Sequence, residues 1–253
     1  MSNQQYTELI KALRDTSIDE IAENGCLGRL VEFFSGGSRD EVYPIYFRDV
    51  PYAIYMRRNS SDIKNFLQIF VHNEYEPCLI ASPDTIIDLG AYIGLSAIYF
   101  KHKFPYSKII CVEPSRANYT VLIRNMAMCS DAYCINAAAW VNNNRLGYSD
   151  YMFDGDWGNK VDEMPDGEIE AITIMSIVRW YGLTRIGLLK VDIEATEKRL
   201  FTENTEWVDL VDCIACETHD RYLQGCLAAF DGLFHAPEFE VYNIRETSMA
   251  VRK

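Results

Sequence analysis

Thr85-Ile86-Ile87-Asp88-Leu89-Gly90-Ala91-Tyr92-Ile93-Gly94-Leu95-Ser96 passes from an apolar run into an acid, then through a glycine-bearing turn into an apolar helical pattern. Such a stretch predicts a buried parallel strand, a tight loop and a helix N-terminus. In an open α/β sheet, ligands bind outside the carboxyl ends of the strands, where the strand order reverses. Gly90 and Gly94 supply close backbone approach and angles that a side chain would forbid. The amides from Ile93 to Ser96 can face a carboxylate or phosphate. The spacing is G-x-x-x-G with Tyr92 inside it, not the dinucleotide G-x-G-x-x-G. Taken alone, the turn fits any α/β protein as well as a nucleotide site.

Working outward, strands and helices alternate. The strand at 86–88 leads to a helix over 93–103, ended before Pro105. A strand over 108–113 leads to a helix through 119–126, and a third strand covers 132–138. The segment 142–170, rich in Gly, Asp and Asn, reads as a long loop or hairpin. A short strand at 172–174 precedes a helix at 176–181. Strands over 186–192 and 211–217 lead to helices near 195–202 and 223–234, and a hairpin of 240–244 and 249–252 closes the series. This pattern predicts a mostly parallel, doubly wound α/β sheet. Upstream, short helices are expected within 5–23 and at 27–34, the latter stopped by Gly36-Gly37. A hairpin of 43–47 and 52–56 is placed at an edge by Pro44. Ser61-Asp62 offers a cap to a helix bearing Ile63, Phe66, Leu67 and Phe70. A boundary near residue 80 separates a helical and hairpin extension (1–80), with substrate or oligomer contacts, from the main domain (81–253).

The chain has 253 residues, 49% of them apolar, enough for a substantial core. Its 24 basic and 37 acidic side chains leave a net charge of −13. That disfavours nucleic acid as a partner and suits a cationic or neutral small molecule. Asp88 interrupts the longest apolar run, so no transmembrane segment is expected. The polar N-terminus shows no signal peptide, and the eight cysteines are read as reduced cytoplasmic thiols. Cys213-x-x-Cys216 lies in an apolar run without a second pair at suitable spacing, so both read as core residues on opposite strand faces rather than half a zinc site.

Several strands end in acids: Asp88, Glu113, Asp192 and Glu217. Strand carboxyl ends line one crevice, so these carboxylates should gather there. Glu113 ends the second strand, roughly 20 residues beyond the glycine turn, where an acid can accept hydrogen bonds from both ribose hydroxyls. NAD and S-adenosylmethionine both carry that ribose. Tyr92 and the lack of a third glycine favour the ligand without a pyrophosphate.

The order of these residues resembles the FkbM-type methyltransferases, a family of class I S-adenosylmethionine-dependent enzymes. The resemblance rests on Ile87-Asp88-Leu89-Gly90-Ala91-Tyr92-Ile93-Gly94, then Val112-Glu113-Pro114-Ser115 with Asn118, Leu122 and Asn125, then Leu189-Lys190-Val191-Asp192-Ile193-Glu194. Upstream, Ser61-Asp62 with Phe66, Gln68, Phe70, Glu74 and Tyr75 is similar to the family's first helix. Trp157-Gly158 and Glu217-Thr218-His219 fit its later motifs. It implies a Rossmann-like seven-stranded sheet with an antiparallel last strand, and O-methylation of a small-molecule, sugar or natural-product hydroxyl. The implied cofactor contacts are Gln68, Tyr75, Asp88, Gly90, Ala91, Tyr92, Gly94, Ser96, Glu113, Pro114, Ser115, Asn118, Ala138 and Asp192. Trp157, Glu194 and His219 would face the acceptor. Two positions depart from the family: Ala195 stands where Gly is usual, and Met175 where Asp is common. A non-catalytic adenosine- or nucleotide-binding module of a biosynthetic complex is the alternative they leave open.

Methyl transfer from a sulfonium is an in-line displacement, so the protein supplies orientation and electrostatics. A hydroxyl acceptor must also lose its proton. His219 is the expected base, with Asp192 and Glu217 beside it; His72, His102 and His235 are expected at the surface. No metal is expected, because Asp192 and Glu194 alone are too sparse an oxygen cluster. The expected partner is a small-molecule or carbohydrate acceptor, without nucleic acid or membrane; a homodimer is compatible with the extension.

Overall fold

The computed structural model describes residues 26–47, 50–80, 82–152, 159–194, 196–235, 237–244 and 247–253. The helices expected within 5–23, together with Trp157-Gly158 and Ala195, lie outside those residues. The described chain begins with α1 (Cys26–Ser35), the antiparallel pair β1 (Val42–Ile45) and β2 (Ile54–Arg57), and α2 (Asp62–Phe66). Then come β3 (Thr85–Leu89), α3 (Leu95–Lys103), β4 (Lys108–Val112), α4 (Arg116–Met126) and β5 (Ala132–Ile135). A connecting region holds β6 (Ala138–Ala139), β7 (Arg145–Met152), β8 (Asn159–Glu163) and β9 (Ile169–Ile172). The chain continues with α5 (Ile174–Tyr181), β10 (Leu188–Val191), α6 (Glu197–Thr202), β11 (Cys213–Glu217), α7 (Cys226–Leu233), β12 (Phe239–Ile244) and β13 (Thr247–Arg252).

The main sheet has seven strands in the order β12-β13-β11-β10-β3-β4-β5, and only β13 runs against the others. The order reverses between β3 and β10, so the carboxyl ends of these two strands flank the natural crevice.

Strand parity explains why both faces are covered. Ile86, Ile109, Cys111, Leu188, Cys213 and Met249 join one apolar cluster with α1, the β1–β2 pair, α2, α3 and α4. Their neighbours Ile87, Ile110, Leu189, Ile214, Cys216 and Ala250 face a second cluster with α5, α6 and α7. Cys213 and Cys216 thus sit on opposite faces, both buried, as the strand reading required. Each fully buried aliphatic or aromatic side chain here contributes ~1.5–3 kcal/mol. Residues of α1, β2 and α2 share the first cluster with the sheet, so the N-terminal elements pack directly on it.

Four expectations change. The strand over 132–138 is broken: β5 pairs with β4, while β6 leaves the sheet to pair with β9. Asn136 sits at the break, its amide donating to the carbonyls of Glu113 (2.8 Å) and Pro114 (3.1 Å). Among the described residues of 142–170, β7, β8 and β9 form more than a lone hairpin: they belong to a four-stranded sheet ordered β6-β9-β7-β8. The strand placed at 172–174 ends at Ile172, because Thr173 caps α5 by accepting from the Ser176 amide. Ser61 likewise makes no side-chain cap to α2. Asp62 is instead fully buried and accepts from the Arg57 backbone (2.7 Å) and guanidinium (2.8 Å).

Candidate active site

The turn after β3 is built from three left-handed residues: Gly90 (φ 75°), Tyr92 (φ 53°) and Gly94 (φ 88°). The amides of Gly90 and Ala91 both donate to the Val112 carbonyl at 3.0 Å, which folds the turn over the end of β4. The Gly94 amide closes on Ala91 at 2.8 Å, inside the turn rather than toward a ligand. A left-handed tyrosine carries backbone strain of order 1 kcal/mol. Two hydrogen bonds hold it: its amide donates to Glu113 Oε2 (2.9 Å) and its hydroxyl to Asp62 Oδ1 (2.6 Å). The N-terminal elements therefore brace the glycine turn directly.

Glu113 follows β4 and is 5% exposed. Its Oε1 accepts from the Ser115 amide (2.9 Å) and the Asn118 side chain (3.2 Å). With Tyr92 on Oε2, three of about four acceptor positions are occupied by the protein. Burial pushes the carboxyl up to about 7, against these hydrogen bonds, which favour the charged form.

Asp88 does not open into the crevice. It is fully buried, accepts from Ser96 Oγ (2.6 Å) and pairs with Lys190 Nζ (3.1 Å), its cross-strand neighbour in register on β10. Lys190 also donates to the Gly90 carbonyl (2.7 Å) and stands 3.5 Å from Asp192. Burial opposes its charge, but Asp88 and Asp192 outweigh that and raise its pKa. Asp88, Ser96 and Lys190 thus fix the turn from below.

His219 lies just past β11, its ring 1% exposed. Nδ1 is 2.8 Å from Oε1 of the fully buried Glu197, the first residue of α6. Nε2 faces Glu194 (3.5 Å), Glu217 (3.7 Å) and Asp192 (3.8 Å). Burial opposes its charging, but the hydrogen bond to Glu197 and the surrounding carboxylates prevail and hold it up to about 10. The imidazole therefore carries its proton at neutral pH in this arrangement. Burial pushes Glu194 and Glu217 up to about 8, with further help from Asp192. His72 and His235 are exposed as expected, and His102 is half-buried.

These groups line one cleft with two lobes. The first, about 490 Å³, is walled by Gly90, Glu113, Pro114, Ser115, Asn118, Ala138, Asp192 and Glu194. Its far wall is Tyr148 and Val161 from the small sheet. The second, about 870 Å³, is lined by Gln68, Tyr75, Ala91, Tyr92, Ser96, Lys190, Glu217 and Arg221, and shares Gly90, Glu113, Asn118, Asp192 and Glu194. Gln68 donates to Glu74 (2.9 Å) at its rim. Of the residues expected at the cofactor, Asp88 and Gly94 line neither lobe. Sequence reasoning missed Tyr148, Val161, Glu197 and Lys190. A lysine inside the apolar run Leu188-Leu189-Lys190-Val191 was the one available signal among them. Met175 is half-buried and packs against the second apolar cluster.

The model of the Methyltransferase FkbM domain matches residues 88–228. The chain is 40% identical over 63 residues to Methyltransferase sdnD of Sordaria araneosa, which is 25% of this chain and 24% of that protein. It is 33% identical over 61 residues to Methyltransferase 1 of Beauveria bassiana (strain ARSEF 2860), 24% of each. The matches thus span about a quarter of the length of these relatives. Among solved structures, SAH-bound Podospora anserina methyltransferase PaMTH1 aligns with a TM-score of 0.41 at 16% identity, over 77% of this chain and 80% of that one. With its model matching more than half of the residues, the chain belongs to the FkbM methyltransferase family, and its cofactor is S-adenosylmethionine.

Proposed function

We propose that this protein is an S-adenosylmethionine-dependent O-methyltransferase acting on a hydroxyl of a small-molecule, sugar or natural-product acceptor. The observation that carries the reading is the sharing of one cleft by Glu113, at the ribose end, and the Asp192–Glu194–Glu217 carboxylates beside His219. Glu113 accepts from one ribose hydroxyl at its remaining acceptor position, while Pro114, Ala138, Tyr148 and Val161 enclose the adenine. The sulfonium, a cation, is favoured among the carboxylates of the shared wall. The acceptor enters the second lobe past Gln68 and Arg221, and its hydroxyl proton passes to the carboxylates around His219. Holding the oxygen in line with the methyl group supplies part of the ~7–11 kcal/mol available from orientation.

A net charge of −13 supports a neutral or cationic acceptor over nucleic acid. Among the described residues no helix is long and apolar enough to cross a membrane. The test is transfer of an isotope-labelled methyl group to a panel of hydroxylated acceptors, with product mass read directly. Saturable cofactor binding without turnover on polyol, sugar or phenol acceptors, or in extracts of the host, would favour the non-catalytic binding module instead.

A further inference from the structure

We propose that Asp192, Glu194 and His219, with Glu217 beside them, form a binding site for one divalent cation of the Mn²⁺ class at the acceptor end of the cleft. This goes beyond the methyl-transfer reading and departs from the metal-free expectation from the sequence.

The imidazole is positioned before any ion binds. Glu197, fully buried, accepts at Oε1 from the Ile193 amide (3.2 Å) and stands 2.8 Å from His219 Nδ1. That bond fixes the ring and aims Nε2 at the carboxylates; a carboxylate behind Nδ1 is the usual backing of a metal-ligating histidine. Nε2 faces three carboxylates. Its three oxygen neighbours stand at 3.5, 3.7 and 3.8 Å, well beyond the ~2.7–2.9 Å of a charged hydrogen bond.

Three near-equal longer distances suit atoms sharing one ion: ligands bound at ~2.0–2.2 Å are separated by roughly 3–4 Å. The ligand atoms of Asp192, Glu194 and His219 all lie within 4.8 Å of one another. Asp192, Glu194 and Glu217 line the second lobe, so an ion can reach the site from the cleft and take the place of the Nε2 proton. One imidazole with carboxylate oxygens and no thiolate suits Mn²⁺. An ion there would lower the pKa of a neighbouring hydroxyl.

The test titrates the full chain with MnCl₂, following free Mn²⁺ by electron paramagnetic resonance, with and without S-adenosylhomocysteine. Wild type should bind one equivalent saturably. Glu197→Gln should weaken Mn²⁺ by ~10–100-fold, and His219→Asn and Glu194→Gln at least as much, with melting temperature retained. Where one variant fails to fold, the other two give the same reading. No saturable Mn²⁺ binding by a wild type that binds S-adenosylhomocysteine overturns the site and leaves the methyltransferase reading intact. Wild-type Mn²⁺ affinity in folded His219→Asn also overturns it. Mn²⁺ binding that follows the variants in a chain without cofactor affinity upholds the site while removing the cofactor reading.

Discussion

Gly90 lies directly against the backbone carbonyl of Asp192: a methyl group at position 90 would stand 1.7 Å from that oxygen. The glycine turn is therefore a packing requirement between the carboxyl ends of β3 and β10 before it is a ligand contact. Gly90→Ala adds left-handed strain to that overlap and should cost about 2–4 kcal/mol. Gly182, at φ 60° with nothing within 4 Å of an added Cβ, gives the contrast. Gly182→Ala should cost only ~1 kcal/mol. Thermal unfolding of the two variants side by side measures the difference. Equal losses would show that backbone angle, not the Asp192 contact, governs position 90.

Glu113 should make cofactor affinity depend on pH. Its carboxyl sits near 7, above its ordinary 4.5, because burial disfavours the charge. The ribose hydroxyl needs the charged acceptor, so binding around pH 6.5 should release a proton and weaken as the pH falls below 7. Calorimetry in buffers of different ionisation heat measures that proton. Stability has the opposite slope: the folded state holds the proton more tightly, so stability falls as pH rises from about 4.5 to 7. Glu113→Gln should remove both dependences and weaken the cofactor by roughly tenfold to a hundredfold. A variant within about twofold of wild type would assign the ribose to another residue.

Tyr92 links the N-terminal elements to the cofactor turn through its 2.6 Å hydrogen bond to buried Asp62. Tyr92→Phe keeps the ring and loses that bond to a charged acceptor, an expected cost of ~1.5–3 kcal/mol. The urea midpoint should fall with the slope of the transition unchanged. An unchanged midpoint would mean that Arg57 alone satisfies Asp62.

The main sheet was legible because its strands, buried on both faces, read as apolar runs separated by helical periods. The Asp88–Gly94 turn and Glu113 stood out for the same local reason. Lys190 did not, since its meaning lies in a cross-strand contact with Asp88, far away in sequence. Its charge lies inside an apolar strand and is the clamp beneath the turn. The small sheet stayed hidden because β6 has two residues and β7 and β8 are polar; nothing in a two-residue strand carries a period. Glu197 was invisible as a site residue because an acid at the start of a helix has an ordinary explanation in the helix dipole. Only the fold shows that its carboxylate is buried against His219.

That contact separates a structural histidine from a functional one. If His219 organises the carboxylates that receive the acceptor proton, His219→Asn should lower kcat by ~10²–10⁴-fold, the range for loss of proton-transfer function. KM for the cofactor should stay within a few-fold, because the ring lines neither lobe of the cleft. Glu197→Gln should have a smaller effect, about 10–100-fold, since an amide oxygen can still accept from Nδ1–H while the charge that backs the ring is gone. Glu197→Ala, which frees the ring to rotate, should approach the His219→Asn loss. Steady-state kinetics with a confirmed acceptor gives this ordering, and melting curves separate it from unfolding. A purely structural histidine would give the reverse pattern, with lowered melting temperatures in all three variants and kcat per folded molecule near wild type.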